Sequence, residues 1–144
     1  MKETHTTLPA KLENLPLFIA AVTAHARRAG FGDDRINAIE LAVEEALVNV
    51  FNYAYPAGPG DATVWCRSDN PNTLTIRIED SGAPFDSLAL PAPDTAAGLD
   101  DRPIGGLGVF LIRQFMDDAR YARQDDRNIL TLVARKDSKK GVRT

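Results

Sequence analysis

The sequence predicts an α+β fold, a two-layer sandwich in which helices cover one face of a mixed, mostly antiparallel sheet. The first observation is the order of the predicted elements: strand, helix, helix, two strands, loop, helix and two strands. The second is that short turns join the consecutive strands, which favours hairpins. The third is size and composition, because 144 residues, of which 44% are hydrophobic and 26% charged, suffice for one globular domain with a core.

The composition disfavours several classes of function. With 17 Lys and Arg against 20 Asp and Glu, the formal net charge is -3, which argues against broad electrostatic capture of nucleic acid or anionic membrane. Cys66 is the single cysteine, so no disulfide framework exists, and its strand-like surroundings favour a small buried hydrophobe. No apolar stretch is long enough to span a bilayer and residues 1–5 do not resemble a signal peptide, so we expect a cytoplasmic protein.

The N-terminal part of the chain predicts an edge strand and a first helix. Residues 4–8 are rich in threonine and precede Pro9, as is typical of a short edge strand. A helix then begins near Asn14, with a proline in its first turn, and Gly30 closes it. We expect His25 at a partly exposed position of this helix. Its apolar stripe consists of Leu15, Phe18, Ile19, Val22 and Ala26.

The longest predicted helix organises the chain. It begins after the cap Gly32-Asp33-Asp34 and ends near Tyr55, because the residue before a proline is pushed out of helical geometry. Glu45 and Asn49 lie one turn apart beside its apolar face, and Asn52 extends this polar stripe. From this stretch alone, the polar edge of an ordinary helix explains these residues equally well. The apolar face consists of Ile36, Ile39, Val43, Ala46, Leu47, Val50 and Ala54.

The C-terminal half predicts four strands, a helix and a long loop. Turn-forming residues 69–72 and 125–128 separate the strands of each hairpin, and the helix covers residues 109–116. Residues 83–104 are rich in proline and glycine, with one turn of helix at 87–90, and a connection of this length is typical of a binding loop or lid. The strands are predicted over residues 62–67, 74–79, 119–122 and 129–134.

The composition changes once more at the C-terminus. Residues 1–136 have the mixed composition of one folded domain, whereas the run from Lys136 to Arg143 is predominantly basic. We expect residues 137–144 to form a basic tail that is frayed and solvated.

A glycine-rich turn, Gly105-Gly106-Leu107-Gly108, precedes the last predicted helix. Glycines let the backbone approach an anion closely, and the unpaired N–H groups of a first helical turn point toward it, so the pattern favours phosphate binding. Glycines that only cap a helix would produce the same pattern. The turn is neither a Walker P-loop, since no Gly-Lys-Ser/Thr follows, nor a dinucleotide fingerprint, since no strand precedes it.

Two further features suit nucleotide chemistry. Asp80-Ser81-Gly82 ends a predicted strand, where a carboxylate can accept a hydrogen bond from an exocyclic amine and Gly82 permits the flat approach of a base. A simple strand-ending turn would have the same residues. On the long helix, Asn49 can ligate Mg²⁺, which needs only one or two protein oxygens, and Glu45 can accept a proton from an attacking hydroxyl.

The order and spacing of these features resemble the N, G1 and G2 boxes of the GHKL ATPases, which have the Bergerat fold. The boxes correspond to Glu45-x-x-x-Asn49, Asp80-x-Gly82 and Gly106-x-Gly108. The longer sequence segments around these boxes resemble the anti-sigma-factor serine kinases of bacterial partner-switching systems, and the resemblance covers roughly residues 4–135. The motifs that carry this resemblance are Glu45-Ala46-Leu47-Val48-Asn49 with Ala54-Tyr55, Asp80-Ser81-Gly82-Ala83-Pro84-Phe85-Asp86, and Gly105-Gly106-Leu107-Gly108-Val109-Phe110-Leu111-Ile112.

The resemblance implies a protein-serine kinase that uses ATP and Mg²⁺. Glu45 would be the general base that activates the substrate serine, Asn49 would hold Mg²⁺ against the phosphates, and Asp80 would read the adenine amino group. Residues 83–104 would form the lid, and Thr131 falls where such proteins place a hydroxyl near the adenine. The implied nucleotide-binding residues are Asn49, Asn52, Tyr53, Asp80, Gly82, Ala83, Gly105, Gly106, Leu107, Gly108, Val109, Phe110 and Thr131.

The resemblance also implies partners. Such kinases phosphorylate a serine on an anti-anti-sigma protein with a STAS fold and bind a sigma factor, typically as homodimers, without direct contact with nucleic acid or membrane. Two positions depart from the family pattern: Tyr53 stands where many relatives carry a histidine, and Ala83-Pro84 replaces the second glycine of the broader box. Neither departure affects the implied base or metal ligand.

Two other functions stay open. One is an ATP-gated regulator that sequesters a partner without transferring phosphate, since GHKL sites can bind ATP while the chemistry is slow or lost. The other is an ATP-driven clamp or the catalytic domain of a histidine kinase. We rank the second lowest, because a clamp needs transducer domains and because His5 and His25 do not lie in a phosphoacceptor motif.

Overall fold

The computed structural model describes residues 2–89 and 108–140 of the chain. The strands are β1 (Lys2–Pro9), β2 (Asp61–Asn70), β3 (Thr73–Asp80), β4 (Asp118–Gln124) and β5 (Arg127–Arg135), and the α-helices are α1 (Leu15–Arg28), α2 (Asp33–Tyr53) and α3 (Gly108–Phe115). Two short 3₁₀ turns cover Leu12–Asn14 and Ser87–Ala89. The strands form one five-stranded sheet in the order β1-β2-β3-β5-β4, and every pairing within the described residues is antiparallel. The predicted α+β class is therefore confirmed.

None of the helices in the described ranges combines the length and the apolar character that crossing a membrane requires.

Alternation along the central strands gives the sheet one apolar face and one mixed face. Leu74, Ile76 and Ile78 of β3 are buried beneath the helices, whereas Thr75 and Arg77 between them are half-buried on the other face. Burying one such aliphatic side chain contributes roughly 1.5–3 kcal/mol, so this pattern decides which face the helices cover. The core is completed by Ala62, Val64 and Cys66 of β2, Leu130, Leu132 and Ala134 of β5, Phe18 and Val22 of α1, and Ile39, Val43 and Leu47 of α2.

Helix α2 begins and ends close to its predicted bounds. Gly32 is its N-cap residue, and the carboxylates of Asp33-Asp34 lie in the first turn, where they interact favourably with the helix dipole. The last helical residue is Tyr53. Just beyond it, the carbonyl oxygen of Ala54 accepts a hydrogen bond of 2.6 Å from the N–H of Ala83. The loop that follows β3 is thereby tied to the C-terminal end of α2.

A buried arginine ties the C-terminal residues to the start of α2. The guanidinium of Arg35 donates hydrogen bonds to the carbonyl oxygens of Phe115 at 3.1 Å and Arg135 at 3.0 Å. It donates another to the carbonyl oxygen of Lys140 at 2.8 Å and forms an ion pair with Asp117 at 3.1 Å. The expectation of a frayed and solvated tail therefore holds only in part for residues 137–140: Asp137, Lys139 and Lys140 are exposed, but the backbone at Lys140 is held by a buried cation.

His25 is buried between α1 and the sheet, which corrects the expected partial exposure. Its ring nitrogens lie 3.0 Å from the hydroxyl of Thr4 and 2.8 Å from the hydroxyl of Ser68. These hydroxyls stand on β1 and β2, which pair with each other, so the ring is covered by strands that are distant in sequence. Cys66 is buried as predicted, and burial raises the pKa of its thiol to about 12.

The turn between β4 and β5 sets the register of the last hairpin. Asp125 and Asp126 have φ angles of 53° and 61°. Two successive positive φ values are typical of a type I′ turn, whose twist matches that of paired strands. The resulting register places Asn128 of β5 opposite Asp80 of β3.

Candidate functional site

The middle of α2 buries polar groups that have no partner. Asn49 is 0% exposed, and its neighbours Ala46, Leu47 and Val50 lie in the core. Within the described part of the chain, neither amide atom of Asn49 has a hydrogen-bond partner, and Oε2 of Glu45, one turn earlier, is also buried without one. Each unsatisfied buried polar atom costs about 1–3 kcal/mol. Several such atoms on one stretch of helix therefore indicate a site for a polar ligand.

The environment of Glu45 suits proton transfer. Burial is the main cause that raises the pKa of its carboxyl above 4.5, and the charge of the adjacent Glu44 adds to the effect. A carboxylate with a raised pKa accepts a proton more readily from a hydroxyl. The predicted pair Glu45 and Asn49 therefore lies together on α2, with properties that suit a base and a metal ligand.

Asp80 lies at the end of β3 with one carboxylate oxygen fully engaged. Oδ1 accepts hydrogen bonds from the N–H of Gly82 at 2.9 Å and from Nδ2 of Asn128 at 2.8 Å. Burial raises the pKa of Asp80, while these two donors and the charge of Arg123 oppose the shift. Among the described residues, no donor reaches Oδ2, so this oxygen remains available to a ligand.

Asn128 is the functional residue that the sequence interpretation missed. Besides its bond to Asp80, Nδ2 donates to the carbonyl oxygen of Ala83 at 2.8 Å. Its Oδ1 accepts hydrogen bonds from the hydroxyl of Tyr121 at 2.6 Å and from the N–H of Phe85 at 3.3 Å. Asn128 was predicted only as part of a turn. The pattern Asn128-x-Leu130-x-Leu132 could have revealed it, because residues two apart share one face of a strand.

Gly82 is required for the path of the backbone. A side chain at this position would collide with the carbonyl group of Ala54 at the end of α2. The carbonyl oxygen of Gly82 also accepts a hydrogen bond of 2.8 Å from Arg123 of β4. The close approach that explains this glycine is therefore to α2, which differs from the predicted approach of a base.

Tyr55 binds the start of the loop after β3 through its hydroxyl. Its hydroxyl donates to the carbonyl oxygen of Asp61 at 2.6 Å and accepts from the N–H of Ser81 at 2.9 Å. Of the other two residues expected at the site on α2, Asn52 is exposed and Tyr53 is half-buried. The ring of Tyr53 lies 5.8 Å from the ring of Phe85, measured between centroids.

Thr131 does not join this cluster. It pairs with Arg77 of β3 and is half-buried on the face of the sheet that the helices do not cover. Asn128 and Leu130 are buried on the opposite face. The expectation that Thr131 lies near the adenine is therefore corrected. Thr131 is three residues from Asn128 along the strand, and an odd offset places the two side chains on opposite faces of the sheet.

The glycine-rich turn is described only from its last residue. Gly108 is the first residue of α3, so the predicted helix at 109–116 is confirmed with bounds shifted by one residue. Gly105, Gly106 and Leu107 lie outside the described residues, as does the part of the expected lid from 90 to 104. Val109 and Phe110 belong to α3, which packs mainly against α2.

A small cavity lies beside Asp80 and Asn128. Its volume of about 10 Å³ is room for roughly one water molecule, so an aromatic base could enter only if the segment around Phe85 moved. Its lining combines apolar side chains with the polar side chains of Asp80, Ser87, Tyr121 and Asn128. The lining residues are Val50, Ile78, Asp80, Phe85, Ser87, Tyr121, Asn128 and Leu130.

Comparisons with known proteins indicate the family of this chain. Residues 8–134 match the family described as the histidine kinase-like ATPase domain. The serine-protein kinase RsbW of Bacillus cereus is 30% identical over 128 residues, which are 85% of this chain and 79% of that protein. The serine/threonine-protein kinase BtrW of Bordetella bronchiseptica is 33% identical over 96 residues, which are 67% of this chain and 68% of that protein.

A solved structure supports the same fold. The crystal structure of the RsbU and RsbW domains of Rv1364c from Mycobacterium tuberculosis matches with a TM-score of 0.67 and 16% identity. The match covers 94% of this chain and 32% of that longer chain. The family match spans nearly all of the sandwich and contains the polar pair on α2 and the acidic residue at the end of β3. The chain therefore belongs to the histidine kinase-like ATPase domain family.

Proposed function

We propose that this protein is an ATP-dependent protein-serine kinase and anti-sigma factor that phosphorylates a STAS-type anti-anti-sigma antagonist. The observation that carries the proposal is the polar pair Glu45 and Asn49 on α2, because Oε2 of Glu45 and both amide atoms of Asn49 are buried without a partner among the described residues. A proton acceptor and a neutral oxygen ligand on adjacent turns are what phosphoryl transfer to a hydroxyl requires. The relatives named as serine-protein kinases support this choice.

Asn49 fits a metal that is held mainly by nonprotein ligands. Within residues 2–89 and 108–140, no group of three or more His, Cys, Asp or Glu side chains could hold a metal ion. Mg²⁺ commonly takes one or two protein oxygens and completes its shell with phosphate oxygens and water. Bound Mg²⁺ would neutralise charge on the β- and γ-phosphates of ATP. The role of Asn49 is to offer its buried Oδ1 at that position.

Glu45 acts on the attacking group. Its carboxylate takes the proton from the serine hydroxyl of the substrate while the serine oxygen forms a bond to the γ-phosphorus. The bond between that phosphorus and the bridging oxygen breaks, so that phosphoserine and ADP result. The raised pKa of Glu45 makes this transfer more favourable than it would be for an exposed glutamate.

Asp80 and the glycine-rich turn bind the rest of the nucleotide in this proposal. Oδ2 of Asp80 accepts a hydrogen bond from the amino group of adenine. The backbone N–H groups of Gly105-Gly106-Leu107-Gly108 and of Val109 and Phe110 bind the phosphates at the start of α3. Asn52, Tyr53 and Ala83 flank the nucleotide, and residues 83–104 form the lid above it.

The regulatory part of the proposal concerns partners. Residues 1–136 form one kinase domain that acts in the cytoplasm as a homodimer and contacts neither nucleic acid nor membrane. The domain holds a sigma factor until the antagonist is available in its unphosphorylated form. Phosphorylation of the antagonist then decides which partner is bound.

The experiment uses the full chain, Mg-ATP and the STAS-domain protein encoded nearest to it. Intact mass spectrometry of that partner should reveal a gain of one phosphate, which Glu45→Ala abolishes. Glu40→Ala is the matched control, because Glu40 is a half-buried glutamate on the same helix. ATP binding without phosphate gain would support the ATP-gated regulator instead, and absence of ATP binding would refute the nucleotide site.

A further inference from the structure

Asn128 forms a hydrogen-bonded centre whose orientation is determined by the backbone. Its amide could be drawn in two ways, because oxygen and nitrogen are similar in size. However, the N–H of Phe85 can only donate and the carbonyl oxygen of Ala83 can only accept. Oδ1 must therefore face Phe85, and Nδ2 must face Ala83. The same orientation directs the second N–H of Nδ2 to Oδ1 of Asp80 at 2.8 Å.

This arrangement leaves the carboxylate of Asp80 a single free acceptor. The N–H groups of Gly82 and Asn128 both bind Oδ1, so the carboxylate cannot rotate without losing two hydrogen bonds. Oδ2 is thereby fixed in one direction. An acceptor in that place binds an amino group and repels the oxo group of a 6-oxopurine, because both oxygens would be acceptors.

The same amide connects Asp80 to the first residues of the loop after β3. Ala83 and Phe85 both bind Asn128, which is 3% exposed. Tyr121 on β4 adds a short hydrogen bond of 2.6 Å to Oδ1 and restrains the amide from the other side. Asn128 and Asp80 are also direct neighbours across β5 and β3. The position of Asp80 therefore depends on one side chain that three segments hold in place.

We propose that Asn128 is a positioning residue for base recognition, and that it sets the preference of this site for a 6-aminopurine by holding the carboxylate of Asp80 in one orientation. The inference rests on the proposed nucleotide site and goes beyond it, because it names the residue on which base selectivity depends.

The test compares ATP with purine riboside triphosphate, which lacks the exocyclic amino group. Titration calorimetry with Mg²⁺ on the wild-type chain should give a preference for ATP of roughly tenfold or more, as one well-aligned hydrogen bond to a charged group provides. In Asn128→Ala the preference should fall toward one, while affinity for purine riboside triphosphate changes little. Asn37→Ala is the matched control, since Asn37 is an exposed asparagine on α2, and it should retain the wild-type preference.

A second variant keeps the proposal testable if Asn128→Ala does not fold. Asn128→Leu keeps the branch at Cγ and a similar size, and it removes both donors without placing a second carboxyl group beside Asp80, so it should also lose the preference for ATP. An unchanged preference in either folded variant would overturn the role of Asn128, as would a wild-type protein that binds both nucleotides equally. If the wild-type protein bound neither nucleotide, the proposed function would fail first, and this inference would fail with it.

Discussion

Replacing Asn49 with leucine should make the ligand-free protein more stable and abolish nucleotide binding. The two side chains share the branch at Cγ, but leucine carries methyl groups in place of the oxygen and nitrogen. In the wild-type chain, both polar atoms of Asn49 are fully buried and unpartnered among the described residues. The substitution therefore removes an unfavourable burial without removing a hydrogen bond.

The expected gain can be worked from the two atoms. Each unsatisfied buried polar atom costs about 1–3 kcal/mol, so removing two gains about 2–6 kcal/mol. Overpacking by the larger side chain opposes this by about 1–3 kcal/mol. From the middle of each range, the net stabilisation should be about 2 kcal/mol, which for a domain of this size raises Tm by roughly 4–8 °C.

Thermal unfolding followed by circular dichroism measures this gain, with and without Mg-ATP. The wild-type Tm should rise when Mg-ATP is added, because a ligand that binds only the folded state stabilises it, whereas the Tm of Asn49→Leu should not respond. Asn37→Leu, at an exposed position of the same helix, should change neither property. A destabilised Asn49→Leu that still responds to Mg-ATP would refute the reasoning, because it would mean that the Asn49 amide contributes to folding and not to binding.

Three further predictions concern the surrounding residues. Glu45→Gln should lower phosphate transfer roughly 10²- to 10⁴-fold with little change in ATP affinity. Burial raises the pKa of Glu45, so the contribution of Glu45 to stability is present below the usual pKa of 4.5 and is lost as the pH rises through the folded-state pKa. Glu45→Gln should therefore have a higher Tm than the wild-type protein at neutral pH. This difference in Tm should vanish in acid. Equal Tm values at neutral pH would contradict this. Arg35→Ala should lower the free energy of unfolding, measured with urea, by about 3–5 kcal/mol, because it leaves the carboxylate of Asp117 buried without its cation. A decrease below about 1 kcal/mol would show that the ion pair does not stabilise the fold. Gly82→Ala should displace the loop after β3 and weaken ATP binding at least about tenfold, whereas Gly58→Ala, which meets no atom within 4 Å, should not.

Features that depend on near neighbours in the chain were predictable. Hydrophobic periodicity and turn-forming residues act over a few positions, so the local sequence predicts the helices, the strands and the polar stripe on α2. Asp33-Asp34 and Gly30 mark helix ends by the same local rules. The pair Glu45 and Asn49 could be found this way, because one helical turn brings them together whatever the rest of the chain does.

Features that depend on register were not predictable. Asn128 and Asp80 are 48 residues apart, and they meet only because the turn at 125–126 and the pairing of β5 with β3 have one particular register. Thr131 illustrates the sensitivity, since its odd offset from Asn128 places it on the other face. Arg35 likewise meets the carbonyl oxygen of Lys140 across 105 residues. A pattern of neighbouring residues cannot predict contacts between positions so far apart in the chain.

The buried polar groups of this protein separate by whether the fold satisfies them. Arg35 is surrounded by three carbonyl oxygens and a carboxylate, and both ring nitrogens of His25 meet hydroxyls, so burial of these groups is compensated within the folded chain. Asn49 is buried and Glu45 is half-buried on α2, yet they present buried polar atoms that the described residues leave unpaired. A folded chain gains nothing from keeping such atoms inside, because apolar groups of the same shape would be more stable. Asp80 lies between these cases, with Oδ1 satisfied by Gly82 and Asn128 and Oδ2 left for a partner from outside. The proposed site therefore lies where the hydrogen-bonding capacity of buried groups is incomplete among the described residues.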